Sequence, residues 1–203
     1  MKILAAILFT IGFAGLIYFL KFFKTEGIKK YVFLILFALK LAGGFAVYGV
    51  YTYYYDPAMS DIHKFYRGGT ILYEAKDESF ADYLRLVTGI QADQPQLQKY
   101  YDRTDHWTRE FDYGLFNDNR TIMRFNAVVC LVSGGNIFVH VVVMAFLSFL
   151  GCFVLFRGLQ KLLNTNKWLL LAASFLIPSC LFWTSGLMKE GLTMLATGFA
   201  FYF

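Results

Sequence analysis

One carboxylate, Asp61, stands where it could act as a general base at a membrane surface. It follows a long apolar run, in the segment Tyr-Asp-Pro-Ala-Met-Ser-Asp-Ile-His-Lys-Phe-Tyr. If a helix begins near Ser60, Asp61 lies in its first turn, and His63 and Tyr66 follow within the next turn and a half. Such a carboxylate could take a proton from an acceptor hydroxyl while a phosphate leaves the donor, with His63 and Tyr66 binding substrate. The alternative is that Asp61 only caps the helix.

Four other charged residues could hold a phosphate or another part of a substrate. Lys189 lies in a predicted outer turn, residues 184–190, where a lysine offers a compact positive charge to phosphate, and Glu190 could pair with it or orient it. Arg120 and Arg124 are four residues apart, so they share a helix face that suits phosphate or anionic headgroups. Ordinary snorkelling is the alternative for Lys189, and simple lipid anchoring is slightly favoured for the two arginines.

The remaining polar candidates have simpler interpretations. Lys40 lies midway along an apolar run, and snorkelling to the cytoplasmic side is favoured over a functional buried charge. His140 lies one turn inside another run, where a hydrogen-bonded structural role is favoured over a ligand or proton relay. Asp102, Asp105 and His106 could bind a metal, but solvated charge on an outer loop is favoured. The cofactor is therefore left open, with a divalent cation as one candidate.

The acidic residues are concentrated in one segment of the chain. Of the 14 Asp and Glu residues, all but Glu26 and Glu190 lie between Asp56 and Asp118. The long uncharged stretches elsewhere are typical of segments dissolved in hydrocarbon. Most of the basic excess lies in short connections beside apolar runs, where basic residues set membrane orientation. The net charge of +5 is therefore no indication of a nucleic-acid partner.

Apolar runs predict an all-α fold, a polytopic transmembrane helical bundle. Four runs are predicted to span the bilayer, namely residues 3–20, 31–55, 137–156 and 168–183. A fifth run, residues 191–203, cannot cross a bilayer core of about 30 Å at about 1.5 Å per residue. We therefore expect a truncated last helix and an N-terminal fragment of a longer protein.

Basic residues predict the orientation in a cell inner (plasma) membrane. Lys21, Lys24, Lys29 and Lys30 place the first connection in the cytoplasm by the positive-inside rule. Residues 56–120 are then extracytoplasmic. The predicted organisation is two spanning helices in 1–55, an extracytoplasmic loop with juxtamembrane helices in 56–136, and spanning helices in 137–203.

The extracytoplasmic loop is predicted to contain three amphipathic helices rather than another span. Apolar residues at spacings of 3 and 4 predict a helix over 78–90, with Asp77 as its N-cap. A second helix is predicted over 96–111. A third, over 121–132, is predicted to lie on the outer membrane surface.

These features together resemble the GT-C membrane glycosyltransferases, which include the protein O-mannosyltransferases and the aminoarabinose transferases of lipid A. The resemblance consists of a catalytic Asp early in the first large outer loop, followed by an aromatic residue, as Asp61 is followed by Tyr66. It also includes helices of that loop lying on the membrane. The segment Pro-Ser-Cys-Leu-Phe-Trp-Thr-Ser-Gly-Leu-Met-Lys-Glu-Gly is similar to one found in bacterial membrane proteins of that kind.

The resemblance implies transfer of a sugar from a polyprenyl-phosphate carrier to an acceptor on the outer face. The implied partners are the lipid bilayer, a lipid-linked sugar donor, and a glycan, lipid or protein acceptor. One alternative is a polysaccharide polymerase that joins lipid-linked repeat units. Another is a non-enzymatic transporter or assembly protein, which would place charged residues deep within several helices.

Overall fold

The computed structural model describes residues 1–104, 107 and 119–203, and every regular element within them is helical. The predicted all-α class is therefore confirmed for the described residues. The α-helices in chain order are α1 Lys2–Phe19, α2 Lys30–Gly49, α3 Asp61–Glu78, α4 Phe80–Thr88, α5 Gln98–Tyr101, α6 Asn119–Ser133, α7 Ile137–Leu162, α8 Lys167–Phe175, α9 Pro178–Trp183 and α10 Lys189–Tyr202.

Three of these helices are long and apolar enough to cross a membrane. They are α1, α2 with the π-helical turn that extends it to Tyr54, and α7. Each coincides with a predicted span, because about 20 consecutive apolar residues satisfy both the length of the bilayer core and the hydrogen bonds of a helix. The protein is thus a membrane protein by the length and composition of its helices, while its orientation stays a prediction.

The prediction of one continuous spanning helix over 168–183 is wrong. α8 ends at Phe175 and α9 begins at Pro178. Proline lacks the amide hydrogen of a continuing helix, and it disfavours helical backbone in the residue before it. Ile177 accordingly adopts an extended conformation, with φ −63° and ψ 116°.

The chain divides into two compact units. The membrane unit comprises residues 1–49 and 141–203, and the polar unit comprises residues 50–140. The core of the membrane unit is built mainly from buried aromatic and aliphatic side chains, among them Phe23, Phe33, Phe37, Phe149, Phe153 and Phe175. α10 packs closely on α7, since a Cβ added at Gly198 would lie 2.2 Å from the carbonyl oxygen of Gly151. Such small residues let the backbones of membrane helices approach each other.

The polar unit is organised by the pairing of α3 with α6. Gly68 lies against Met123, and the Tyr66 hydroxyl donates to the carbonyl oxygen of Gly135 at 2.6 Å. Earlier positions on α3 therefore contact later positions around α6, so the two helices run antiparallel. The helix predicted over 121–132 is α6, and one face of it is buried in this unit. Its position on the membrane surface stays a prediction.

The helix predicted over 78–90 begins later than expected. α4 runs from Phe80 to Thr88, and its N-cap is Ser79, whose hydroxyl accepts from the Asp82 amide at 3.2 Å. The prediction of Asp77 as N-cap is wrong because Asp77 still belongs to α3. Of the helix predicted over 96–111, the structure shows a 3-10 turn at Pro95–Leu97 and the short α5, with turns at residues 102–104. Residues 105, 106 and 108–111 lie outside the described residues.

Candidate functional site

Asp61 lies in the first turn of α3, directly after the helix that ends at Tyr54 and a short connection. The N-cap residue is Ser60, so the alternative that Asp61 caps this helix is wrong. Asp61 is exposed, and no hydrogen bond or ion pair joins its carboxylate to another described residue. The helix N-terminus favours a negative charge at this position. The carboxylate is therefore accessible and has no partner among the described residues, so its role as a general base stays a prediction.

His63 lies in the same first turn of α3, two residues after Asp61, and contacts the end of the preceding helix. Its Nε2 is 3.0 Å from the Thr52 hydroxyl. Partial burial, with the nearby positive charge of Arg67, lowers the pKa of the imidazole below its ordinary value of 6.5. His63 is therefore mainly neutral near pH 7, so it can donate or accept a hydrogen bond but adds little positive charge for a phosphate.

Tyr66 and His140 belong to a buried hydrogen-bond cluster. The His140 Nδ1 is 2.8 Å from the Asn126 side-chain oxygen, and its Nε2 is 2.9 Å from the Ser133 hydroxyl. The Asn126 amide nitrogen donates to the Phe65 carbonyl, which leaves the amide oxygen to accept from His140. The Tyr66 ring packs edge-on against His140, with ring centroids 5.2 Å apart.

The structural role predicted for His140 is therefore confirmed, because the ring is fully buried and both nitrogens have partners. Tyr66 was predicted to bind substrate, but its hydroxyl donates within the unit to the Gly135 carbonyl. Its half-buried ring helps to fix the start of α3 against the segment after α6. These contacts show that Tyr66 packs within the polar unit, while its role in substrate binding stays a prediction.

Arg120 and Arg124 share one face of α6, as their spacing predicted. Both guanidinium groups lie over the buried Trp107 ring, at 5.1 and 5.5 Å from its centroid. Arg120 Nε donates to the Trp107 carbonyl and Arg124 Nε to the Leu86 carbonyl, each at 2.9 Å. Burial is the main cause that lowers the pKa of the Arg124 guanidinium. The two side chains hold the polar unit together, which leaves fewer donors for a ligand.

The antiparallel pairing places the arginines far from Asp61. Asn126 on α6 is level with Gly69 on α3. At about 1.5 Å per residue, Arg120 and Arg124 then lie roughly 15 to 20 Å along the helix axis from Asp61. The structure therefore does not bring these predicted substrate-binding residues to the candidate base.

Lys189 and Glu190 belong to the membrane unit and form the first turn of α10. One oxygen of Glu190, Oε2, is buried and has no hydrogen-bond partner among the described residues. An unpaired buried oxygen is costly, so this carboxyl group is a candidate for binding a donor group of a ligand. The predicted roles of Lys189 and Glu190 in substrate binding stay predictions.

The surroundings of Lys40 were not predicted from the sequence. Its side chain is fully buried, and Nζ donates to the Ser148 hydroxyl at 3.0 Å and to the Thr184 hydroxyl at 2.7 Å. The interpretation that Lys40 snorkels to the membrane surface is wrong, because hydroxyl groups inside the unit replace water around its amino group. Ser148 and Thr184 carried no signal in the sequence that would have identified them as its partners.

The described residues contain no group of three His, Cys, Asp or Glu side chains that could hold a metal ion. In the predicted cluster of Asp102, Asp105 and His106, the Asp102 carboxylate accepts from the Gln98 side chain at 2.7 Å. Asp105 and His106 lie outside the residues that the structure describes.

Comparisons with known proteins identify no relative of this chain. No protein-family model matches it, and neither the curated proteins nor the solved structures show a match. The resemblance to GT-C transferases therefore depends on the quoted residues alone.

Proposed function

We propose that this protein is a membrane glycosyltransferase that moves a sugar from a polyprenyl-phosphate-linked donor to an acceptor at the outer membrane surface. The observation that carries the proposal is the exposed Asp61 carboxylate, which no described residue engages. It lies in the first turn of α3, shortly after a helix that is apolar and long enough to span. A base that follows a spanning helix so closely in the chain would lie near the membrane surface, where it could reach both a lipid phosphate headgroup and an acceptor from water.

In the proposed reaction Asp61 accepts the proton of the acceptor hydroxyl as that oxygen attacks the anomeric carbon of the sugar. The bond from this carbon to the phosphate oxygen breaks, and the polyprenyl phosphate leaves with the bonding electron pair. Holding donor and acceptor at one surface supplies much of the rate enhancement by proximity. His63 lies two residues after Asp61 and therefore points to a different side of the helix, so its role in substrate binding stays a prediction. Lys189 as the phosphate-binding residue stays a prediction.

Substitution of the candidate base tests the proposal. We expect Asp61→Asn to lower glycosyl transfer at least about 100-fold, the usual effect of losing a general base. The assay measures transfer from radiolabelled polyprenyl-phosphate hexoses and pentoses in proteoliposomes. Asp77→Asn is the matched control, because this exposed carboxylate lies at the other end of the same helix.

Wild-type turnover in Asp61→Asn would refute its assignment as the base, and so would an equal loss in Asp77→Asn. If the wild-type protein transfers none of these sugars, the glycosyltransferase proposal fails. Glycan analysis of a deletion strain distinguishes the polymerase alternative, which predicts that polymer is lost while single repeat units are retained.

A further inference from the structure

A polar cavity lies at the end of the membrane unit that carries its basic connections. Its volume is about 570 Å³. It is lined by Lys24, Thr25, Glu26, Gly27, Arg157, Gln160 and Lys167. The three cations come from the connection between α1 and α2, from the last part of α7 and from the start of α8. Segments far apart in sequence thus bring three positive charges and one acidic residue to a single cavity.

Glu26 also lines the cavity, but no ion pair joins a described carboxylate to Lys24, Arg157 or Lys167. Arg157 donates to the Phe22 carbonyl at 3.3 Å, and Lys167 donates to the Glu26 carbonyl at 3.4 Å. Both side chains keep further N–H donors. Three positive charges against the one negative charge of Glu26 leave the cavity with a net positive charge, so an anion bound there would reduce the repulsion between the cations.

Lys167 lies against the turn that borders the cavity. The Ile28 amide donates to the Thr25 carbonyl at 3.2 Å, and Gly27 between them has φ +71°. A Cβ at Gly27 would lie 2.0 Å from the Lys167 Nζ. A residue with a side chain would therefore be strained at this φ, and its Cβ would displace the lysine.

The Thr25 side chain beside the cavity carries an unpaired polar atom. Its Oγ1 is buried and has no hydrogen-bond partner among the described residues. Buried polar groups in native proteins almost always have a partner, and Thr25 is one of the residues that line the cavity. The hydroxyl itself has no accessible surface, so a ligand with acceptor oxygens would bind the three cations of the lining.

We propose that this cavity binds a phosphate group through Lys24, Arg157 and Lys167. The cavity lies at the ends of helices that could span the bilayer, the level at which lipid phosphates are found. The phosphate belongs either to an anionic lipid headgroup or to a soluble phosphate ester. The proposal is independent of the glycosyltransferase proposal, because it uses none of the same residues.

Binding to the full chain in detergent tests the proposal. The lipid probes are phosphatidic acid and diacylglycerol, which share acyl chains but differ in the phosphate, and native mass spectrometry counts the bound lipid. The soluble probes are inorganic phosphate and glycerol 3-phosphate, added as competitors. We expect phosphatidic acid to bind and diacylglycerol not to bind. If the soluble phosphates displace phosphatidic acid at equal concentration, the natural ligand is a soluble phosphate. If they do not displace it, the natural ligand is a lipid.

The matched variants remove equal charge inside and outside the cavity. The cavity variant combines Lys24→Gln, Arg157→Gln and Lys167→Gln, and we expect it to bind phosphatidic acid about 100-fold more weakly, or about fivefold for each cation. The control combines Lys21→Gln, Lys29→Gln and Lys161→Gln, which change basic residues outside the cavity lining. We expect the control to bind within about twofold of wild type, on the same free-energy scale.

Two single variants still test phosphate binding if the triple cavity variant does not fold. Lys24→Gln changes an exposed side chain, and Gly27→Ala blocks the place of Lys167 without changing the charge. We expect both to weaken binding. Equal binding by these variants and wild type would overturn the proposal, as would equal loss in the control or equal binding of diacylglycerol.

Discussion

At the scale of single residues, Lys40 shows how the membrane unit accommodates a polar group. Its amino group donates to the hydroxyls of Ser148 and Thr184, which are 2.8 Å from each other. No described carboxylate forms an ion pair with it. A buried amino group without an opposite charge gains less from its surroundings than from water, so this group costs stability even with its partners in place.

Removing the amino group and removing its partner should therefore have opposite effects. We expect Lys40→Met to keep or raise the unfolding temperature, since Ser148 and Thr184 still hydrogen-bond each other. Thr184→Val leaves the buried amino group with one acceptor fewer and should cost about 1–3 kcal/mol. Thermal unfolding in detergent measures both. A large loss of stability in Lys40→Met would show that the lysine itself stabilises the membrane unit.

At the scale of elements, the position of Asp61 depends on the close packing of α3 on α6. A Cβ at Gly69 would lie 2.4 Å from the Asn126 Cβ and 3.0 Å from the Ala127 amide nitrogen. The helices touch there through backbone, with no flexible side chain that could move aside. The same contact brings Asn126 beside the Phe65 carbonyl and His140.

Substitution of Gly69 by alanine should force the two helices apart. We expect Gly69→Ala to lower the free energy of unfolding by about 1–3 kcal/mol, the usual cost of overpacking. Amide hydrogen exchange should become faster in α3 and α6. The control is Gly12→Ala in α1, where an added Cβ meets nothing within 4 Å. Unchanged exchange in Gly69→Ala would contradict the close approach.

At the scale of the whole molecule, the orientation in the membrane determines whether Asp61 can meet an outer substrate. The positive-inside rule predicts that residues 56–120 are outside. Cysteine labelling with a membrane-impermeant reagent tests this in a chain whose three native cysteines are replaced. We expect Asp93→Cys to be labelled from outside intact cells and Asn164→Cys to be protected. Both positions are exposed in the structure. The opposite pattern would place Asp61 on the wrong side for the proposed reaction.

Much of the fold could be predicted from local patterns, but the composition of the candidate site could not. The hypothesis for Asp61 assumed a helix that begins near Ser60, and α3 does begin there. The spacing of Arg120 and Arg124 indicated a shared face. This spacing carried no information about Trp107, whose ring packs against both arginines, because Trp107 precedes α6 in a separate segment.

The sequence by itself determined the apolar spans and the all-helical class. Each segment of about 20 apolar residues is solvated by hydrocarbon on its own, so its free energy depends on local composition. Tertiary structure decided the partners of Lys40, which lie 108 and 144 residues away, and the convergence of Lys24, Arg157 and Lys167 on one cavity. Such contacts depend on how helices pack, and packing is a property of surfaces that distant segments form together.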